Sequence, residues 1–331
     1  MIKVSILVPI YNVETYIHQC AVSLFEQTYN NIEYIFVDDA SPDNSITILK
    51  DLIKRYPKRE KDVRIITHEK NRGLAVARNT AISNATGDYI FIVDSDDYME
   101  KQTIEWMVEK QEETDADIII GDYFVHSEKG IEKIDFPRFK RKEDLILGML
   151  DTNSFHTIWN KLMRRSLYVN NHIMVKEGCN MNEDQIQMVQ VSYYAKNFAF
   201  IGHHTYHYNC LNPTSVWNSA IRKLTEDSAS QLLRSFAVVK SFFQNKEKKY
   251  FQKAAANEFH LFFYCLSNLC NSRQKKAYYN ILRKFYPEDD HLWPLNKQQK
   301  TLYRIAFSNY YFMSFFLRIK DIKNGYRQSK T

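Results

Sequence analysis

Three carboxylates within four residues, Asp94-Ser95-Asp96-Asp97, follow the strongest strand pattern in the chain, Asp88 to Val93. Charges this close repel one another unless a cation or hydrogen bonds offset them. Oxygen-only ligands favour hard cations such as Mg²⁺ or Mn²⁺, which take one or two protein carboxylates and leave positions for substrate phosphates. An acidic turn that caps the next helix is the plainer use of the same residues. Asp38-Asp39 closes a second apolar run, Ile32 to Val37. A carboxylate there can accept a hydrogen bond from a nucleotide base or ribose, or cap a helix. Cations come from Asn71 to Asn79, where Arg72 or Arg78 could reach a phosphate or a base edge, or form a surface ion pair.

These residues need a frame. Lys3 to Ile10, Ile32 to Val37, Val63 to Thr67, Asp88 to Val93 and Asp117 to Phe124 read as strands. Glu14 to Glu26, Ser41 to Tyr56, Leu74 to Asn84 and Lys101 to Thr114 read as helices between them, with Pro42 suited to a first turn. Repeated strand–helix–strand units predict an α/β, mostly parallel sheet flanked by helices. Ligands then sit beyond the C-terminal strand ends, where Tyr11-Asn12, Asp38-Asp39 and the Asp94 cluster fall. Neither GxGxxG after the first strand nor GxxxxGK[ST] is present, which disfavours a Rossmann dehydrogenase and a P-loop ATPase.

Four blocks in order resemble the family-2 glycosyltransferases: Val8-Pro9-Ile10-Tyr11-Asn12, Val37-Asp38-Asp39-Ala40-Ser41, Asn71 to Asn79, and Gly87 to Asp97. Weaker echoes are Trp159-Asn160-Lys161-Leu162, Asn182-Glu183-Asp184, and Tyr206-His207-Tyr208 with Ser215. The resemblance spans about Met1 to Trp217. It implies a GT-A catalytic domain over residues 1–217, followed by a helical region over 218–331. It also implies an inverting transfer from a nucleotide-sugar, commonly a UDP-sugar, to a saccharide or lipid-linked saccharide acceptor in bacterial surface glycan synthesis.

The implied donor-side residues are Pro9, Tyr11 against the base, Asp39 on the base, Arg78 on the nucleotide, and Asp94 and Ser95. Asp96 would ligate Mn²⁺ or Mg²⁺, and Trp159, Asn160 and Lys161 would lie on the acceptor side. Asp184 would be the catalytic base, with Glu183 as the alternative. The same two acids could simply charge a helix N-terminus. The family often has glycine where Asn182 stands. His203, His204 and His207 could approach the metal, although packing and hydrogen bonding are the expected use of histidines in an aromatic strand. A nucleotidyltransferase and a non-catalytic nucleotide-sugar-binding scaffold are the competing functions.

The rest of the chain differs in charge. From Ile221 onward there are 21 Lys+Arg and 8 Asp+Glu, net +13, against −7 for the preceding residues. No proline lies between Pro213 and Pro287, and no glycine between Gly202 and Gly325, so helices are expected. Leu232, Phe236, Val239, Phe242 and Phe243 share one face, and further helices are expected from Lys249 to Asn271, near Arg273, and from Leu302 to Ile322. The basic, aromatic tail suggests packed helices, a homodimer contact or an anionic membrane surface. No nucleic-acid motif accompanies the charge. Five widely spaced cysteines suggest reduced thiols. Strand pattern directly after Met1 and no apolar stretch of membrane length give the expectation of a cytoplasmic enzyme, with peripheral attachment to the inner face of the membrane as its extension.

Overall fold

The computed structural model describes residues 1–151, 155–213, 215, 225–268, 276 and 301. The chain divides into two compact units, Met1–Asn218 and Ser219–Thr331.

The first unit is an α/β sheet of nine strands. Its first half is parallel, in the order β3 (Val63–Thr67), β2 (Ile32–Asp38), β1 (Val4–Ile10), β4 (Tyr89–Ile92). All residues of β1, β2 and β4 are buried, because helices cover both faces; the strands therefore read as unbroken apolar runs. Helix α1 (Ile17–Phe25) turns Ile17, Cys20, Ala21, Leu24 and Phe25 into the core. Next come α2 (Ser45–Ile53) and a single turn, α3 (Pro57–Glu60). Pro42 stands before α2 rather than in its first turn; Asp43 Oδ1 accepts from the Ser45 amide there. Helix α4 (Leu74–Asn84) leads back to β4.

The second half is mixed. A two-residue strand, β5 (Tyr98–Met99), and α5 (Thr103–Thr114) precede β6 (Ile118–Ser127). β6 forms a hairpin with β7 (Gly130–Ile134) and then pairs with β8 (Lys161–Arg164) antiparallel and β9 (Phe198–Asn209) parallel. β8 joins the halves by pairing antiparallel with β4. Three short helices complete the unit: α6 (Lys142–Met149), α7 (Arg165–Asn170) and α8 (Glu183–Tyr194). The repeating units end at α5, and beyond them parallel pairing recurs between β6 and β9. The antiparallel pairs are β6 with β7, β8 with β4 and β6, and β5 with β9.

In the second unit, α9 (Glu226–Phe242) and α10 (Lys248–Asn268) pack together. Leu232, Phe236, Val239 and Phe243 are buried along one face, as their spacing requires. The expected helices near Arg273 and over Leu302 to Ile322 lie outside the described residues. Among described residues, no helix is long and apolar enough to cross a membrane.

Candidate active site

A cleft of about 640 Å³ opens beyond the C-terminal ends of β1, β2 and β4, where a doubly wound sheet places its ligands. One end is lined by Pro9, Tyr11, Asn12, Asp39, Asn71 and Gly73, the floor by Arg78, Asp94, Ser95 and Asp96. The other end is lined by Tyr123, Val125, His156, Thr157, Trp159 and Tyr208, with Glu183 and Asp184 on the rim.

At the first end, Tyr11 stands 45% exposed beside Asp39, which is 2% exposed. Asp39 Oδ1 accepts from the His68 ring (2.7 Å) and the Arg72 amide (2.9 Å), and Oδ2 accepts from the Gly73 amide (2.8 Å). A carboxylate oxygen has two acceptor sites, so Oδ2 retains one for a ligand. The cradle depends on Gly73. Its φ of +88° and a Cβ position 2.3 Å from the Asn180 side chain admit no larger residue without movement. Arg72 projects outward to Glu177 at 3.1 Å.

Arg78 departs from the sequence expectation. It is 2% exposed, and its guanidinium is committed to three carboxylates: Asp94 at 2.7 Å, Glu183 at 2.8 Å, and Asp184. Its Nε is buried without a partner. Arg78 therefore ties the acidic turn to the N-terminus of α8, a role its position in the Asn71 to Asn79 block did not reveal. Burial pushes the Glu183 carboxyl pKa up, and the charge of Asp184 adds to the rise. The Asp184 side chain is 19% exposed against 9% for Glu183. Asn182, at the N-cap of α8, has φ 63° and ψ 26°. Asparagine tolerates that left-handed geometry better than other side chains, which explains why it can stand where the family often has glycine.

The acidic turn is held mainly from β9 and the residues after it. The Tyr206 hydroxyl accepts from the Asp94 amide (3.0 Å) and donates to Asp97 (2.8 Å), and the Asn209 amide donates to the other Asp97 oxygen (2.7 Å). Asn212 Nδ2 donates to Asp96 (2.8 Å). Asp97 is thus internal. Asp96 lines the cleft, and burial, then the Asp94 charge, pushes its pKa up to about 6.

The far end is aromatic. Trp159 is 4% exposed and stacks on Tyr206 and Tyr208, with centroids 4.6 and 5.2 Å apart. Asn160 and Lys161, expected on the acceptor side with Trp159, are fully buried and do not line the cleft. Asn160 donates to the Gly121 carbonyl (2.8 Å), and the Lys161 ammonium donates to Asn160 Oδ1 (2.6 Å) and to Thr157. Lys161 begins β8, whose first three residues are all buried, and Asn160 precedes it with its side chain turned to the Gly121 carbonyl of β6. Burial pushes the Lys161 pKa down to about 7.

Sequence reading missed His156, Tyr123 and Asn212. His156 lies three residues before Trp159, and burial, then the Lys161 charge, pushes its pKa down to about 4. None of the three belongs to a recognisable block, although the Trp159-Asn160-Lys161 echo marks the neighbourhood of His156. The histidines of β9 serve packing and hydrogen bonding. His203 stacks on Trp106, and His207 bonds His126 and Glu100 at 2.9 and 2.8 Å. His204 lies near Asp122 and Asp135, an arrangement with metal-like spacing outside the cleft. Arg138 already binds both oxygens of Asp122, at 2.8 and 2.5 Å.

The sequence profile described as "Glycosyl transferase family 2" matches residues 5–177. Glycosyltransferase GlyA of Streptococcus pneumoniae serotype 4 is 41% identical over 127 residues, 38% of this chain; the match spans only 17% of GlyA, well under two thirds of its length. Poly(ribitol-phosphate) beta-N-acetylglucosaminyltransferase TarP of Staphylococcus aureus is 27% identical, over 92% of this chain and 90% of TarP. The crystal structure of residues 1–349 of S. aureus TarS with UDP-GlcNAc matches with TM-score 0.70 at 22% identity, covering 99% of this chain and 92% of that one. That likeness establishes the fold as GT-A. With more than half its length matched by the family profile, the chain belongs to glycosyl transferase family 2.

Proposed function

We propose that residues 1–217 transfer a sugar from a UDP-sugar to an acceptor hydroxyl by inverting displacement, with Asp184 as the base. The observation that carries this reading is the single cleft lined by Tyr11 and Asp39, Asp96, and Asp184. The exposed Tyr11 ring offers a face for a base, and the remaining acceptor site on Asp39 Oδ2 suits a base N–H. Asp94 and Ser95 face the ribose and diphosphate region of the donor.

A leaving diphosphate needs positive charge. Among the described residues lining the cleft, Arg78 is the one arginine or lysine, and its guanidinium already serves three carboxylates. Asp96 offers oxygen donors only and lines the cleft beside Asp94, so the donor set fits a hard divalent cation such as Mn²⁺ or Mg²⁺. Bound there, the cation supplies Lewis-acid stabilisation of the leaving diphosphate.

Asp184 takes the proton of the attacking hydroxyl, and displacement from the opposite face needs no covalent intermediate. Glu183, its pKa raised by burial, holds its proton and accepts from Arg78. Trp159 forms the wall against which a sugar acceptor lies. TarP, by its name, acts on poly(ribitol phosphate), and a role for this chain in cell-surface glycan synthesis extends that likeness. The region 218–331 has net +13 from Ile221 onward, which suits attachment to an anionic membrane bearing a lipid-linked acceptor.

The test is thermal stabilisation by UDP, GDP, CDP and dTDP, each with Mn²⁺ or EDTA, in wild type and Asp96→Ala. A ligand specific to the folded state raises the melting temperature. The reading requires UDP to stabilise with Mn²⁺ and Asp96→Ala to abolish the effect. Product analysis with UDP-sugar must then give UDP; pyrophosphate would mean nucleotidyl transfer, and binding without turnover would mean a scaffold.

A further inference from the structure

We propose that Tyr206 is a positioning residue for the cation-binding turn, acting through Asp97. The inference rests on the transferase reading above. Asp97 belongs to the acidic cluster by sequence but is 2% exposed and does not line the cleft. Both of its oxygens face inward, one accepting from the Tyr206 hydroxyl at 2.8 Å and the other from the Asn209 amide at 2.7 Å.

A phenol has one proton to donate. Tyr206 gives it to Asp97, so the same oxygen can accept from the Asp94 amide at 3.0 Å, as it does. One buried oxygen therefore fixes the turn at both ends: the peptide that enters at Asp94 and the side chain that leaves at Asp97. Asp96 is caught between, with its carbonyl accepting from Asn209 Nδ2 at 3.2 Å.

The tyrosine cannot swing away. It is fully buried, stacked on Trp159 at 4.6 Å and packed near Phe91 at 6.4 Å. Its ring thus forms the rear of the Trp159 wall while its hydroxyl sets the acidic turn. Carboxylates that bind cations need such oriented support, and its loss typically costs ten- to hundredfold in affinity. Phenylalanine at this position keeps the ring stack and removes only the hydroxyl.

The experiment measures the UDP dissociation constant by calorimetry, with Mn²⁺ and with EDTA, in wild type, Tyr206→Phe, Asp97→Asn and the double variant. Ligand-free melting temperatures are recorded alongside. The expected result is a loss of about tenfold in Mn²⁺-dependent UDP affinity for Tyr206→Phe, no change in EDTA, and a double variant no worse than the weaker single one. Wild-type affinity in Tyr206→Phe, or equal losses with Mn²⁺ and EDTA, overturns the inference and leaves Tyr206 a packing residue. If Tyr206→Phe does not fold, Asp97→Asn decides alone, and wild-type affinity there overturns it. A wild-type protein whose UDP binding ignores Mn²⁺ overturns the metal-dependent reading and this inference together; metal-dependent binding that both variants retain overturns only this inference.

Discussion

The Tyr11–Asp39–Gly73 end of the cleft and the Trp159–Tyr208–Asp184 end are built by different means. At the first, the lining residues sit at the ends of β1 and β2 and in the loop before α4, and backbone amides of that loop hold Asp39 and Asn71, the Arg72 and Gly73 amides on the former and the Gly73 amide on the latter. At the second, β6, β9, the loop before β8 and the start of α8 contribute at most three residues each. Local turns specify the first end, whereas tertiary packing assembles the second. Arg78 joins them, its guanidinium bonding Asp94 in one half and Glu183 and Asp184 in the other.

Breaking that joint should have the largest effect. Arg78→Met leaves three carboxylates without their shared cation in a buried site, and loss of one partner from a buried ion pair costs about 3–5 kcal/mol. Denaturant titration should show that loss, together with weaker UDP binding at one end and no transfer at the other. Arg78→Lys should recover only part of it, because a single ammonium cannot reproduce the planar fork that spans three acids. Wild-type stability in Arg78→Met would mean the two ends are organised independently.

The two acids at the start of α8 sharpen the contrast next. Asp184→Asn removes the proposed base and should lower kcat by about 10²–10⁴-fold with UDP affinity nearly unchanged. Glu183→Gln mimics the protonated acid that burial favours, keeps an acceptor for Arg78, and should lower kcat far less. Steady-state kinetics of the two variants assign the base, and the reverse order of losses transfers the role to Glu183.

The first end was legible in sequence for the same physical reason that it is locally built. A strand end, an aspartate pair and a glycine of obligatory conformation follow one another in the chain, so the motif spells the site. The parallel pairing of β1 to β4 followed from alternating strands and helices, whereas the order of the strands, the β6–β7 hairpin and the two-residue β5 left no periodic signal. Asn160 and Lys161 were misplaced because a short motif does not say which of its residues face the cleft; these two bond Gly121 and Thr157 inside the fold, while Trp159 lines the cleft. Arg78 was found but its partners were not, because Glu183 and Asp184 are more than a hundred residues away in sequence.

Two backbone positions compare the ends on equal terms. Gly73→Ala puts a Cβ 2.3 Å from Asn180 at φ +88°, and strain of this kind costs about 1–3 kcal/mol. Because the Gly73 amide is part of the Asp39 cradle, melting temperature and UDP affinity should fall together.

Asn182 supports the other end with a smaller margin. Its φ of 63° and ψ of 26° are left-handed, a region that costs an ordinary L-residue about 1–2 kcal/mol and glycine almost nothing. Its side-chain Nδ2 also donates to Gln185 Oε1 at 2.8 Å, a bond within the first turn of α8 that alanine and glycine both lose. The difference between Asn182→Ala and Asn182→Gly therefore isolates the conformational term, and alanine should be the less stable by about 1 kcal/mol. If strain alone sets the direction of Asp184, Asn182→Gly should keep kcat while Asn182→Ala lowers it. Equal stability of the two variants would mean that α8 is fixed by Arg78 and its acids alone, and that the second end needs no backbone device of the kind Gly73 provides at the first.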